Sequence, residues 1–438
     1  MRRPLTLLMA GIAGSLCLLA AETQALHSAD APVQAAQHQA MAPEMLKKGA
    51  LVIGAAFAPD GALWVVQQAQ QNQHNQQNQP SGLTLQISHD NGQSWQPERL
   101  LDTGGDQINI GGESNLKLAF GPNGVVLISY AQPLAKKFTG NIRLLRSTDG
   151  GVHFAAPVTL HQDRQVISHS FANLAFDGKG LLHTIWLDSR DMVAAKEQAS
   201  KAGKASPDYR GAALYHNVSY DAGASFGPDS KLADYSCECC RIALSATPDG
   251  QIAAMWRQVI APNIRDHGFA LLTPPQPLSP ASNVPIVPIV PIRATYDNWA
   301  IDACPHHGPG LSMAASGGYH AVWFGVRDNL AKVRYGRLDQ QGKPSGSVQT
   351  LPDERAEHAD ILSAGSQLAI VWRSYDGSNM HLKAWVSDDD GQHFRLQQLA
   401  HTEGDSDYPR LLKKTNQDGK EQLFVIWNTT RKRYVEAL

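Results

Sequence analysis

Two cysteine clusters carry the densest chemistry in this chain. Cys237-Glu238-Cys239-Cys240-Arg241 sets three thiols close together, and Cys304-Pro305-His306-His307-Gly308-Pro309 adds a fourth thiol beside two imidazoles. Thiolate and imidazole are soft to borderline donors. Cys237, Cys239, Cys240, Cys304, His306 and His307, with His267 as a further donor, are therefore candidate ligands for copper or zinc. Against that, Cys-x-Cys-Cys is not a standard zinc spacing, and exported thiols oxidise unless metal arrives first. The first expectation is a disulfide between Cys304 and Cys239 or Cys240, which requires no cofactor; a metal site is the second.

Guanidinium and carboxylate groups flank these clusters. The candidate catalytic set is Asp188, Arg190, Arg241, Arg257, Arg265, Asp266, Tyr408 and Arg410. Several Arg around one cavity suit an anionic ligand, because the guanidinium fork pairs bidentately with carboxylate. The competing expectation is that half of these Arg bridge neighbouring structural units. Asp188 or Asp266 could act as an acid, and hydrolysis by two carboxylates would then depend on their separation.

What must position these groups is a repeat. Ser88-x-Asp90-x-Gly92-x-x-Trp95 recurs as Ser147-x-Asp149-x-Gly151-x-x-Phe154, Ser219-x-Asp221-x-Gly223-x-x-Phe226 and Ser387-x-Asp389-x-Gly391-x-x-Phe394. The copies are spaced by about 60, 70 and 170 residues, the last gap wide enough for two units without the motif, and such a period matches radial four-stranded blades. The Asp carboxylate takes up backbone N–H groups of a tight turn and Gly supplies its positive φ, so these Asp are expected to be hairpin staples, not catalysts.

The motif resembles the Asp-box of sialidases and other Asp-box propellers, which implies an all-β propeller over nearly the whole mature chain. A sialidase would need three Arg for the sugar carboxylate, a Tyr nucleophile activated by a Glu, and an Asp acid/base. The Phe/Tyr-Arg-Ile-Pro motif of sialidases is missing, and Tyr408-Pro409-Arg410 only partly echoes it. The cysteine segments resemble an exported bacterial sialidase-like subgroup with Cys-Cys-Arg and Cys-Pro-His segments, a likeness that carries no activity with it.

A second periodicity fixes the units. Gly124 leads to Tyr130, Gly180 to Trp186, Gly250 to Trp256, Gly317 to Trp323, Gly365 to Trp372 and Gly419 to Trp427. Each Gly marks a turn and each aromatic the next strand. Units then begin near residues 50, 112, 170, 240, 306, 358 and 408, giving seven blades, with six as the alternative because sialidases have six. The last unit is short and is expected to borrow a strand from the segment before Leu51. Within a blade the Asp-box turn lies on one face. The start of the first strand and the end of the second, where the candidate residues sit, lie on the other, around a common mouth. Arg241, Arg257, Arg265, Asp266 and His306 are expected to share a pocket there, at the junction of the fourth and fifth units.

Composition agrees with one large β domain. Hydrophobic residues make up 42%, enough for a sizeable core, and 37 Gly with 25 Pro supply many turns. A net charge of −2 leaves no basic footprint for nucleic acid. Residues 1–25 read as a signal peptide: Arg2 and Arg3, the apolar run Leu5 to Ala21, then Thr23-Gln24-Ala25. Residues 26–46 are expected to be a flexible segment and 47–438 the propeller, periplasmic or secreted, with no membrane span after signal removal. Gln67 to Gln79 is expected to loop out, Ala194 to Ser206 to form a short helix, and the Val-Pro-Ile repeats between Pro274 and Pro291 to run extended. Two functions follow: a sialidase-like glycoside hydrolase or related enzyme acting on an anionic glycan, or a non-catalytic propeller binding a ligand or protein partner, with a Cys/His site for copper or zinc.

Overall fold

The computed structural model describes residues 51–69, 82–205, 209–247, 249–272 and 290–438. The signal peptide, the 26–46 segment, a strand before Leu51, most of the Gln-rich tract and most of the Val-Pro-Ile repeats fall outside the described residues. Gln67 and Gln68 do not loop out but end the strand Leu63–Gln68.

Seven antiparallel sheets form a seven-bladed β-propeller, each with its strands in sequence order. Six blades have four strands. The seventh has three among the described residues, Arg410–Thr415, Glu421–Asn428 and Arg433–Ala437. First strands begin at Ile53, Lys117, His169, Ala243, Gly310, Ala356 and Arg410, within a few residues of the starts expected from the Gly-to-aromatic spacing. The ring closes between blades 7 and 1: Ile53 N–H donates to Asp407 Oδ2 at 3.2 Å and Asn428 Nδ2 to Leu51 O at 2.8 Å.

Each expected aromatic lies in a second strand and is buried, with Trp186, Trp256, Trp372 and Trp427 almost fully enclosed. Burying an indole strands its N–H unless an acceptor is supplied. The sequence supplies one in each of blades 2 to 7, whereas the Trp64 indole N–H of blade 1 is buried without a partner. Trp186 Nε1 donates to Asp188 Oδ2 at 2.8 Å, Trp256 to Gln258 Oε1 at 2.6 Å, Trp323 to Asp297 Oδ2 at 2.7 Å, Trp372 to Asp353 Oδ2 at 2.9 Å and Trp427 to Asp407 O at 3.0 Å. In blade 2 the Tyr130 hydroxyl does the same with Asp106 Oδ2 at 2.7 Å.

All four Asp-box serines end a third strand, so the motif is the turn into the fourth. In each, the Ser hydroxyl donates to the Asp carboxylate and accepts from the Gly N–H, as in Ser147 to Asp149 at 2.7 Å and Gly151 N–H to Ser147 at 2.9 Å. The same carboxylate accepts the N–H four residues on, from His153 at 2.9 Å. The turn also locks against the preceding blade: a Cβ on Gly151 would stand 2.4 Å from Trp64 of blade 1. Phe154 packs into that same core, and Phe394 meets Tyr335 of blade 5 edge-on at 5.2 Å.

The one α-helix among the described residues, α1 (Arg190–Lys201), fills the loop between the second and third strands of blade 3. It starts four residues before the expected Ala194, where Asp191 favours the first turn, and it ends at Lys201, short of the expected Ser206.

Candidate functional site

The mouth is plugged by an ion pair reaching across the ring. Glu113, from the link between blades 1 and 2, accepts from Arg241 Nη1 at 2.9 Å, Arg241 N at 3.0 Å and Gly308 N at 2.7 Å, with His358 Nδ1 at 3.3 Å. Burial alone would raise its pKa, but the Arg241 charge and these N–H groups hold it below the usual carboxylate range. Arg241 also donates to Pro309 O and Ala359 O. Gly308 is required by close approach, since a Cβ there would lie 2.6 Å from Arg241 O.

Beside the plug runs a column of stacked rings. Phe324 and His307 have centroids 4.3 Å apart, His307 and His358 4.2 Å, His358 and Tyr408 3.5 Å. The Arg373 guanidinium caps Tyr408 at 4.6 Å and pairs with Glu357 at 2.8 Å. Burial pushes His307 well below its ordinary range, so it stays neutral, and raises the Tyr408 hydroxyl above its ordinary range. The cavity next to His307 and His358 is about 10 Å³, room for about one water. A sugar ring does not fit.

The Arg and Asp candidates are largely spent on structure. Arg257 is 1% exposed and donates to Arg265 O at 2.8 Å, His307 O at 2.7 Å and Phe324 O at 2.8 Å. Arg265 Nε reaches Ile301 O at 3.3 Å and Arg410 donates to Gly112 O. Asp266 accepts from Arg293 and from Asp297 N at 3.1 Å. Asp188 holds the Trp186 indole and a bidentate Arg190, whose Nη2 also meets Asp229 at 2.9 Å. The blade 4 and 5 groups do meet on one face, since Arg257 reaches His307, but as a packed junction in place of the expected open pocket. Tyr408 stands near Glu357 and Glu113, but its raised pKa makes it a poor nucleophile.

The four cysteines among the described residues are free thiols, so the bridge expected from Cys304 to Cys239 or Cys240 is not formed. Instead of one close pair there is a cluster. Cys237 Sγ lies 3.6 Å from Cys239, Cys239 3.9 Å from Cys240 and Cys240 3.8 Å from Cys237. The sulfurs of Cys237, Cys239 and Cys304 are all within 4.8 Å of one another. Hydrogen bonds from the other thiols, with Arg257 alongside, hold Cys237 well below the ordinary thiol range, while Cys304 is pushed up to about 11, chiefly by its bond with Cys237. Of the imidazoles, His307 belongs to the ring column, and His306 sits in the left-handed region at φ 52°. His267 is buried in the third strand of blade 4, outside the 4.8 Å sulfur group, with its Nε2 unpartnered and its Nδ1 3.0 Å from Thr295 Oγ1.

One group was missed from the sequence. Lys117, in the first strand of blade 2, is lowered to about 7 by desolvation and by the charges of Arg410 and Arg241. The signal was a Lys at the head of the otherwise apolar Lys117–Phe120.

Residues 86–97, the first of the four Asp-box turns of this propeller, match the BNR/Asp-box repeat family. No curated protein matches the chain. Among solved structures it is similar to an ulvan lyase, from a new family of polysaccharide lyase, bound to GlcA(1-4)Rha3S: 9% identity, TM-score 0.50, covering 89% of this chain and 95% of that one. An alpha-L-arabinanase of Penicillium chrysogenum aligns at 13% identity, TM-score 0.44, covering 89% and 92%. The NanB sialidase of Streptococcus pneumoniae aligns at 9%, TM-score 0.38, covering 88% and 68%. At such identities the shared property is the fold.

Proposed function

We propose that this chain is an exported propeller that binds an anionic glycan across the rim of its mouth face, without hydrolysing it. One observation carries the reading: three mouth-face loops, from blades 2, 4 and 6, each set an exposed aromatic ring beside a cation. Phe138 is 84% exposed with Lys137 Nζ 4.9 Å from its ring centre. Tyr296 is 52% exposed with the Arg293 guanidinium at 4.4 Å. Tyr375 is 50% exposed and its carbonyl accepts from Arg355 at 3.1 Å. Flat apolar rings stack on sugar faces, and neighbouring cations pair with carboxylate or sulfate. The ulvan lyase of similar fold, bound to GlcA(1-4)Rha3S, lends support to the ligand class.

Binding is preferred to hydrolysis because the candidate acids are committed elsewhere. Asp188 serves an indole and a guanidinium, and Asp266 is held by Arg293. Calorimetry with a uronate oligosaccharide and its neutral counterpart tests the reading. Binding should be selective for the anion, weaken as salt rises, and disappear in a Phe138→Ser, Tyr296→Ser, Tyr375→Ser triple variant of unchanged melting temperature. Equal binding of the neutral sugar, or none of either, would reject it.

A further inference from the structure

We propose that the sulfurs of Cys237, Cys239 and Cys304 form a binding site for one soft d10 cation, copper(I) or zinc, and that the ion draws in Nε2 of His267 as its fourth donor. The site lies where blade 3 hands over to blade 4 and blade 4 to blade 5, and it does not depend on the glycan reading.

The spacing of the sulfurs is the first ground. A tetrahedral ion with sulfur at about 2.3 Å sets S···S edges of about 3.8 Å. Among the proposed sulfur donors, Cys237 and Cys239 stand 3.6 Å apart and Cys304 lies within 4.8 Å of both. Disulfide formation would instead draw one pair to about 2 Å and leave two thiols aside. Cys240, 3.9 Å from Cys239 and 3.8 Å from Cys237, lies beside the three donors and is not one of them.

The imidazole is the second, independent ground. Cys237 N–H donates to Arg257 O at 2.9 Å, and Arg257 is the cross-strand partner of His267. His267 therefore stands one strand from Cys237, near enough for the Cys237 charge to act on it. Its Nε2 is buried with no hydrogen-bond partner, a costly state for a polar atom. Its Nδ1 lies 3.0 Å from Thr295 Oγ1, which fixes the ring much as an outer-shell partner fixes a metal-bound histidine. Metal ligation by Nε2 removes the penalty.

Charge and access fit the same ion. Arg257, its guanidinium buried beside the cluster, offsets part of the charge of three thiolates. Three sulfurs and one nitrogen disfavour the hard cations that prefer oxygen. Cys304 is the partly exposed thiol and the other three are buried, so an ion reaches the site through Cys304.

The full-length protein, exported, purified and reduced without oxygen, decides the matter. Titrations with copper(I) buffered by bicinchoninate, with zinc and with cobalt(II) as a spectroscopic probe should each saturate at one ion per chain. Cobalt should give thiolate charge-transfer bands and intense tetrahedral visible bands, and direct competition ranks copper against zinc. Cys239→Ser and Cys304→Ser should abolish stoichiometric binding, with near-ultraviolet dichroism confirming that they fold. Thr295→Val, which touches no ion, should weaken affinity by about 10- to 100-fold with the cobalt spectrum shifted. The site is overturned by a reduced protein that binds no ion stoichiometrically, by binding that survives Cys239→Ser, or by exported protein that carries Cys304 in a disulfide and no metal.

Discussion

A buried polar side chain is ambiguous until its partner is known, and this chain shows why. Asp188 has the setting of a catalytic acid, beside Arg190 and after a buried Trp. Yet Gln258, Asp297, Asp353 and Asp106 play the same part in other blades, taking up an indole or phenol donor that burial would otherwise strand. The repetition identifies the role as structural. Buried histidines show the same economy. His216 is lowered to about 3 by burial and then by its neighbour His183, whose Nδ1 lies 3.1 Å away. Its folded pKa is below the ordinary unfolded value near 6.5. As pH falls through that value, the unfolded chain takes up a proton that the folded one refuses. This contribution to stability is complete above pH 6.5 and is lost between there and about 3, at up to about 1.4 kcal/mol per pH unit. Denaturant midpoints from pH 7 to 4.5 should therefore fall for the native protein and fall less steeply for His216→Gln; parallel profiles would assign the acid sensitivity to other groups.

At the level of the element, the Asp-box proves to be a docking device as well as a turn. In the blade 2 copy, Gly150 only needs a left-handed conformation, which Asn91, Ala222 and Asp390 adopt in the other copies, and the motif glycine Gly151 also needs the absence of a Cβ. Gly150 has φ 71° with nothing within 4 Å of an added Cβ, whereas Gly151 has φ 83° and its Cβ would strike Trp64 of the preceding blade. Gly150→Ala should cost about 1–2 kcal/mol from backbone strain alone. Gly151→Ala should cost about 1–3 kcal/mol more, because Trp64 or the turn must move. Urea unfolding of the pair measures the difference, and equal costs would show that the turn does not bear on the neighbouring blade. The turn was legible in the sequence because Ser, Asp and Gly act over a few residues. Its docking was not, since Trp64 is remote in sequence from Gly151. The same limit explains the site. Cys237 to Arg241 and Cys304 to His307 could be read as partners because both open blades. But the choice of His267 over His306 as the proposed fourth donor rests on a buried, unpartnered Nε2 that the sequence does not reveal, and the capture of Arg241 by Glu113 on a contact across the ring.

For the whole molecule, stability follows from each blade packing on its two neighbours, and one junction differs from the rest. Between consecutive blades the chain itself limits separation, but blades 7 and 1 are held by noncovalent contacts alone among the described residues. Two asparagines make the same bond in the two settings. Asn173 Nδ2 donates to Ile242 O at 2.9 Å from blade 3 to the start of blade 4, and Asn428 Nδ2 to Leu51 O at 2.8 Å across the closure. Replacing either by Ala removes one donor and leaves a carbonyl unsatisfied, a cost of about 1–3 kcal/mol. At Asn173 the ring stays closed, so the urea midpoint should fall with the slope of the transition unchanged. At Asn428 the lesion favours a state in which blades 7 and 1 part while the other blades persist, as expected where units contact only their neighbours. Asn428→Ala should therefore lower the slope as well as the midpoint. Hydrogen exchange should accelerate first in Ile53–Phe57 and Arg410–Thr415. Identical slopes and exchange patterns in the two variants would mean that the closure is as strong as a covalent junction, and that the propeller unfolds only as a whole.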